Sequence, residues 1–229
     1  MRTVVHPDEI EPHRAGNAEL RGTFDARTGC ELLEQHIVRI ARGRFAPRPL
    51  ADKQEVLYIV SGNGTLELEG KRYELEPEMG VFIAAGEEYA VEAANELELV
   101  SVVTPSSHAP SATRKVTVRC ADQPEFEASP ERTFRYLIDE DAGCTDVTQF
   151  IGFVQPSKAP FHSHPYDEVG YIVEGEGIAH VDGEQTPLRP GSCFHLAEGQ
   201  EHCIENTGTG PMQILGVFYP AGSPAARND

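Results

Sequence analysis

The chain has 229 residues, 39% hydrophobic and 24% charged, the proportions of a soluble globular protein that forms one large domain or two small ones. Its 37 acidic against 19 basic side chains leave a formal charge of −18, which argues against nucleic acid or an anionic membrane as a partner held by general electrostatics. No apolar run approaches the roughly 20 residues of a membrane span. The start turns polar after Val5, too soon for a signal peptide. Five cysteines without a tight framework, Cys30, Cys120, Cys144, Cys193 and Cys203, fit free thiols in a reducing, cytoplasmic setting.

Residues 1–22 are polar and punctuated by Pro7, Pro12 and Gly16, which predicts an arm with one edge strand at most, packed on the body or on a second subunit. His6 and His13 in that arm are expected to be bystanders. Residues 23–105 carry short alternating apolar runs between turn residues, among them Val56-Leu57-Tyr58-Ile59-Val60 and Leu66-Glu67-Leu68. That pattern predicts antiparallel strands joined by tight turns, without a long helix. Residues 106–113 are rich in Ser, Pro and Ala and form the natural linker. A strand restarts at Arg114–Arg119, and residues 114–229 form the second unit.

The two units are copies. With a constant offset of 113, Glu55 aligns with Glu168, Val56 with Val169, Tyr58 with Tyr171, Gly62 with Gly175, Gly70 with Gly183, Pro77 with Pro190 and Gly86 with Gly199. A repeat of about 110 residues holding many short strands predicts an all-β chain of two small barrels or sandwiches.

Within the second copy, His162, His164 and Glu168 share one parity, so an extended backbone turns two imidazoles and a carboxylate to one side of a sheet. His202 must join them from another strand. Imidazole and carboxylate together suit a divalent first-row metal. The other reading, hydrogen-bonded surface histidines, does not explain why spacing and repeat register coincide.

These residues resemble the cupin family, whose first motif pairs two histidines one residue apart with a following glutamate and glycine, here His162, His164, Glu168 and Gly175. The second motif is matched by Ala197, Gly199, His202 and Asn206, with alanine where the family usually has proline. The resemblance implies a tandem duplication of two jelly-roll type β-barrels, a bicupin. It implies one divalent ion per chain, Fe(II), Mn(II), Ni(II), Co(II) or Zn(II), on His162, His164, Glu168 and His202. The first copy departs from the pattern: Glu55 is kept, but Tyr89 stands at the position of His202, Ala93 at that of Asn206, and Pro49 and Ala51 at those of His162 and His164. One carboxylate and a phenol predict no metal there, leaving a scaffold, a dimerisation surface or a lid.

Tyr166, beside Pro165, and His195 are candidate catalytic residues, with rim and packing roles as the alternatives. Gln149, Phe150 and His180 are candidate pocket residues, strand parity deciding which face inward. Cys193 and Cys203 are expected to be buried apolar thiols, and Asp139-Glu140-Asp141 a solvated loop. An open metal site, with the activities common in cupins, points to a dioxygenase-type oxidoreductase acting on a small organic substrate. The alternatives are a non-redox isomerase, cyclase, lyase or aminohydrolase, and a small-molecule binding or sensor protein. Barrel edges and the polar arm point to a homodimer.

Overall fold

The computed structural model describes residues 2–109, 111 and 113–226, so Pro110 and Ala112 of the linker lie outside the described residues. Each copy consists of one seven-stranded and one four-stranded antiparallel sheet. In the first copy the large sheet runs Thr117–Arg119, Met79–Ile83, Lys53–Ser61, Leu97–Pro105, Glu34–Ile40, Ala18–Phe24, His13–Ala15. Its small sheet runs Gly43–Phe45, Tyr89–Ala93, Gly64–Leu68, Lys71–Leu75. The second copy repeats this order: Val4–Val5, Cys193–Leu196, Asp167–Glu174, Met212–Tyr219, Thr148–Val154, Arg132–Ile138, Phe126–Ser129, over Ser157–Lys158, His202–Asn206, Gly177–Val181, Glu184–Leu188.

Local chemistry sets the hairpins. Gly64–Leu68 buries its alternate positions and turns back through Glu69-Gly70, both at positive φ (48° and 74°), the two-residue connection that matches strand twist. Asp182-Gly183 repeats the turn at 51° and 80° in the second copy. The register repeats too. Glu55 lies opposite Ile83 and Glu168 opposite Leu196, while Tyr89 lies opposite Leu68 and His202 opposite Val181, each pair displaced by the same 113 positions.

The outermost strands of the large sheets are exchanged. Val4 pairs with Phe194 of the second barrel, and Thr117 with Val81 of the first, so the segment that begins each copy completes the other one. This differs from the sequence reading, which gave Arg114–Arg119 to the second barrel and at most one strand to residues 1–22. His13–Ala15 and the start of Ala18–Phe24 are further strands inside that arm, both in the first barrel's sheet.

Packing explains the continuous apolar runs. Leu57 and Ile59 point into the first barrel with Leu66, Val81 and Leu99, whereas Val56 and Tyr58 join Val169, Tyr171, Leu215 and Val217 in a core between the barrels. The large sheets are thus buried on both faces, so alternation gives way to unbroken hydrophobic stretches. Two glutamines tie this interface across a pseudo-twofold: Gln35 Nε2 donates to the carbonyl of Gly170, and Gln149 Nε2 to that of Leu57, both at 3.2 Å. No helix among the described residues is long and apolar enough to cross a membrane. All five cysteines are buried and free, and burial raises the pKa of every one of these thiols.

Candidate metal centre

The extended stretch assumed from sequence is broken: Pro165 and Tyr166 form a bend between the histidine pair and the strand Asp167–Glu174. His162 is instead held by a bridge to His202, whose amide and carbonyl exchange hydrogen bonds with its own at 2.9 and 3.0 Å. Four side chains still converge. The ring nitrogens of His162, His164 and His202 lie within 4.8 Å of one another, and Glu168 Oε2 is 3.8 Å from His164 Nε2. The three histidines form the one group of three or more such metal-type donors among the described residues, with Glu168 beside them.

Backbone carbonyls orient all three rings. Nδ1 of His162 meets Pro160 O at 3.1 Å, that of His164 meets Ala226 O at 3.1 Å, and that of His202 meets Gln200 O at 2.9 Å. A carbonyl only accepts, so each Nδ1 carries a proton, which leaves Nε2 as the atom that a neutral ring offers to a metal. Burial pushes His202 down to about 3, keeping it neutral as a ligand must be, and burial alone pushes the Glu168 carboxyl up to about 8. A buried carboxyl beside three imidazoles whose Nδ1 atoms are held by carbonyls is a donor set that fits a divalent metal.

The remaining motif residues hold the backbone. Gly175 sits at φ 91°, where an added Cβ would lie 2.8 Å from Met212 Cα. Asn206 donates to the carbonyls of Val154 and Gly210 and accepts from Gly208 N, fastening the turn after the strand of His202.

The four side chains line a cavity of about 90 Å³, enclosed mainly by Phe134, Phe150, Phe194, Leu196, Ile214 and Phe218. Its other polar groups are Arg132 and Thr133. The guanidinium is steadied by donation from Nη2 to Ile204 O at 2.7 Å.

Of the residues singled out from sequence, Phe150 lines this cavity, and Gln149, of opposite parity, faces the neighbouring barrel. His195 also faces outward: its Nε2 lies 3.0 Å from Asp167 Oδ1 and its ring 5.8 Å from Phe24 of the first barrel, because Phe194 and Leu196 take the inward parity. His180 pairs with Glu205 at 2.7 Å on the small sheet, away from the cavity. Tyr166 lies behind the centre, stacked on His164 and Phe218, with its hydroxyl donated to Ser223 O at 2.7 Å; it reaches a ligand ring and not the cavity. Arg132 was missed. Its signal was present: it shares strand parity with the buried Phe134, and an arginine on an apolar face asks for a polar partner inside.

The buried groups give a pH prediction for the metal-free protein. The folded form holds the Glu168 proton up to about 8 and the unfolded form only to about 4.5, so stability falls as pH rises through that interval. His202 acts oppositely: the unfolded chain binds its proton near 6.5 and the folded one only near 3, so stability is lost as pH falls between them. Above about pH 6.5 the His202 effect is spent and Glu168 contributes a slope of up to ~1.4 kcal/mol per pH unit, in the same direction as the Glu55 carboxyl that burial also raises. Urea midpoints measured after chelation should show this decline, and Glu168→Gln should make it shallower.

The Cupin domain family matches residues 36–103 and 152–218. The oxalate-binding protein of Thermotoga maritima is 36% identical over 86 residues, covering 36% of this chain and 71% of that protein. The L-ectoine synthase of Mycolicibacterium gilvum is 38% identical over 66 residues, covering 28% of this chain and 49% of its own length. A variant of Bacillus subtilis oxalate decarboxylase superposes over 97% of this chain and 78% of its own with a TM-score of 0.80 at 14% identity, a likeness of fold. Mn(II) centres are described for that enzyme.

Proposed function

The chain belongs to the cupin family, and from that premise we propose that its second barrel is a metal-dependent enzyme centre acting on a small organic carboxylate, most simply as a dioxygenase-type oxidoreductase. His162, His164, Glu168 and His202 hold the ion. A divalent metal held there would supply a Lewis-acidic centre for the substrate.

The observation that carries the reading is the pairing of those four donors with Arg132 in one small apolar cavity. A guanidinium matches a carboxylate by charge and by its forked donors. A volume of about 90 Å³ admits only a few heavy atoms beside the metal. The aromatic walls exclude bulk water and strengthen the electrostatic hold of Arg132 on an anion. Beyond the four donors, only Arg132 and Thr133 among the lining side chains are polar. Proton transfer at the cavity therefore falls to the substrate itself, and the chain's own part is binding, orientation and exclusion of water. The names of the oxalate-binding relative and the oxalate decarboxylase neighbours agree with a small carboxylate.

A second reading, non-redox cleavage or rearrangement of the same substrate class, is favoured by the polar inventory of the cavity, which serves a carboxylate equally well without dioxygen. The test separates the two. Protein reconstituted with Fe(II), Mn(II), Co(II), Ni(II) or Zn(II) is incubated with two- to four-carbon carboxylates in an oxygen electrode, with products followed in parallel. Oxygen uptake coupled to product is the expected result. Product without oxygen would move the assignment to the non-redox class, and saturable binding without turnover to a binding protein.

A further inference from the structure

The first barrel contains a cavity of about 400 Å³, against about 90 Å³ at the metal centre of the second. Strand pairing shows why. Glu55 lies opposite Val103 and Glu168 opposite Phe218; Leu57 lies opposite Ser101 and Gly170 opposite Gly216; Ser101 then lies opposite His36 and Gly216 opposite Phe150. The aromatic rings that fill the second barrel are thus replaced by Val103 and His36 in the first. The interior is emptied while its fold is kept.

At the base of that space Glu55 is only 9% exposed. Tyr89, standing where the other copy has His202, donates its hydroxyl to Glu55 Oε2 at 2.9 Å, and Ser101 donates to Oε1. Two donors fix the carboxyl as an acceptor aimed by its neighbours, and each oxygen keeps further accepting capacity. The other ionisable groups lining the space are engaged or distant: Lys53 is paired with Glu34, Arg48 and Asp52 lie at the exposed mouth, and burial holds the His36 imidazole below its ordinary pKa. Above Glu55 the walls are Leu20, Val38, Phe45, Val91 and Leu99. A buried, pre-oriented acceptor beneath an apolar chamber of this size is the arrangement of a small-molecule site.

We propose that the first barrel is a receptor for a small organic ammonium with an apolar body, its N–H groups donated to Glu55 and its hydrocarbon part packed against Leu20, Phe45 and Leu99. The site is distinct from the metal centre and does not rest on the activity assigned to it. It gives the copy that lost the histidines a ligand of its own.

The test titrates the full-length protein, metal content measured beforehand, with hexylammonium and phenethylammonium by calorimetry, using hexan-1-ol and hexanoate as controls. Saturable binding of an ammonium, with both controls at least tenfold weaker, is expected. Glu55→Gln should weaken it at least tenfold with bound metal unchanged, and Leu20→Trp, a half-buried wall position, should block it. If Glu55→Gln does not fold, amide shifts in the unaltered protein decide: movement at Glu55, Tyr89 and Ser101 supports the site, and movement confined to the second barrel overturns it. Equal binding of hexanoate, no saturable binding of either ammonium, or affinity untouched by both substitutions would also overturn it.

Discussion

Glu168→Ala is expected to strip the second barrel of its metal, and His162→Ala to do the same, whereas Glu55→Ala leaves metal content unchanged. Changing groups that merely support metal ligands costs roughly 10- to 100-fold in affinity, so removing a donor itself should exceed about 100-fold. Glu168 matters most because it is the single anionic donor among three neutral imidazoles, and it already sits in a pocket that penalises its charge. Without it the ion faces the apolar walls of Phe134, Phe150 and Phe218 with no counter-charge from the donor set. Elemental analysis of the purified variants checks the ordering, and loss of activity should follow loss of metal. Equal depletion by Glu55→Ala would mean that the two copies share the work.

Gly170→Ala should destabilise the protein more than any surface change, by about 3 kcal/mol, which lowers the melting midpoint of a chain this long by roughly 6–12 °C. An added Cβ would lie 2.0 Å from Phe194 Cζ and 2.4 Å from Cε1. Phe194 cannot yield: it is 1% exposed, belongs to the second barrel's core and walls the metal cavity. Gly216 stands in the same relation to Phe150, whose Cζ an added Cβ would approach to 2.3 Å. These two glycines are the seats of two cavity-lining rings. Pairing Gly170→Ala with Phe194→Leu should recover part of the loss by removing the clashing atoms, and calorimetry of both proteins would reveal it. An unchanged midpoint in the single variant would show that the ring swings aside freely.

Much of the site was legible because ligand chemistry is demanding. Few residue types bind a metal, and His162, His164, Glu168 and His202 stand at motif spacing in one copy while the same slots are emptied in the other. Parity also identified Gln149 and Phe150 as neighbours of opposite fate, without saying which was which. His195 and Tyr166 were harder to place. A histidine on a strand carries no mark of which sheet face is the interior when both faces are buried, and here Val169 and His195 turn toward the other barrel. Arg132 lies some thirty positions before the motif and enters the cavity only because its strand runs beside Thr148–Val154.

Residue type and spacing along the chain were enough for the all-β class, the duplication with its 113-residue offset and the family, and they named the candidate donors. Only the tertiary structure decided the exchange of Val4–Val5 and Thr117–Arg119 between barrels, the inward or outward sense of each strand, and the unequal cavities of the two copies. Those features depend on contacts between residues far apart in the chain, where pairing and packing, and not local pattern, select the outcome.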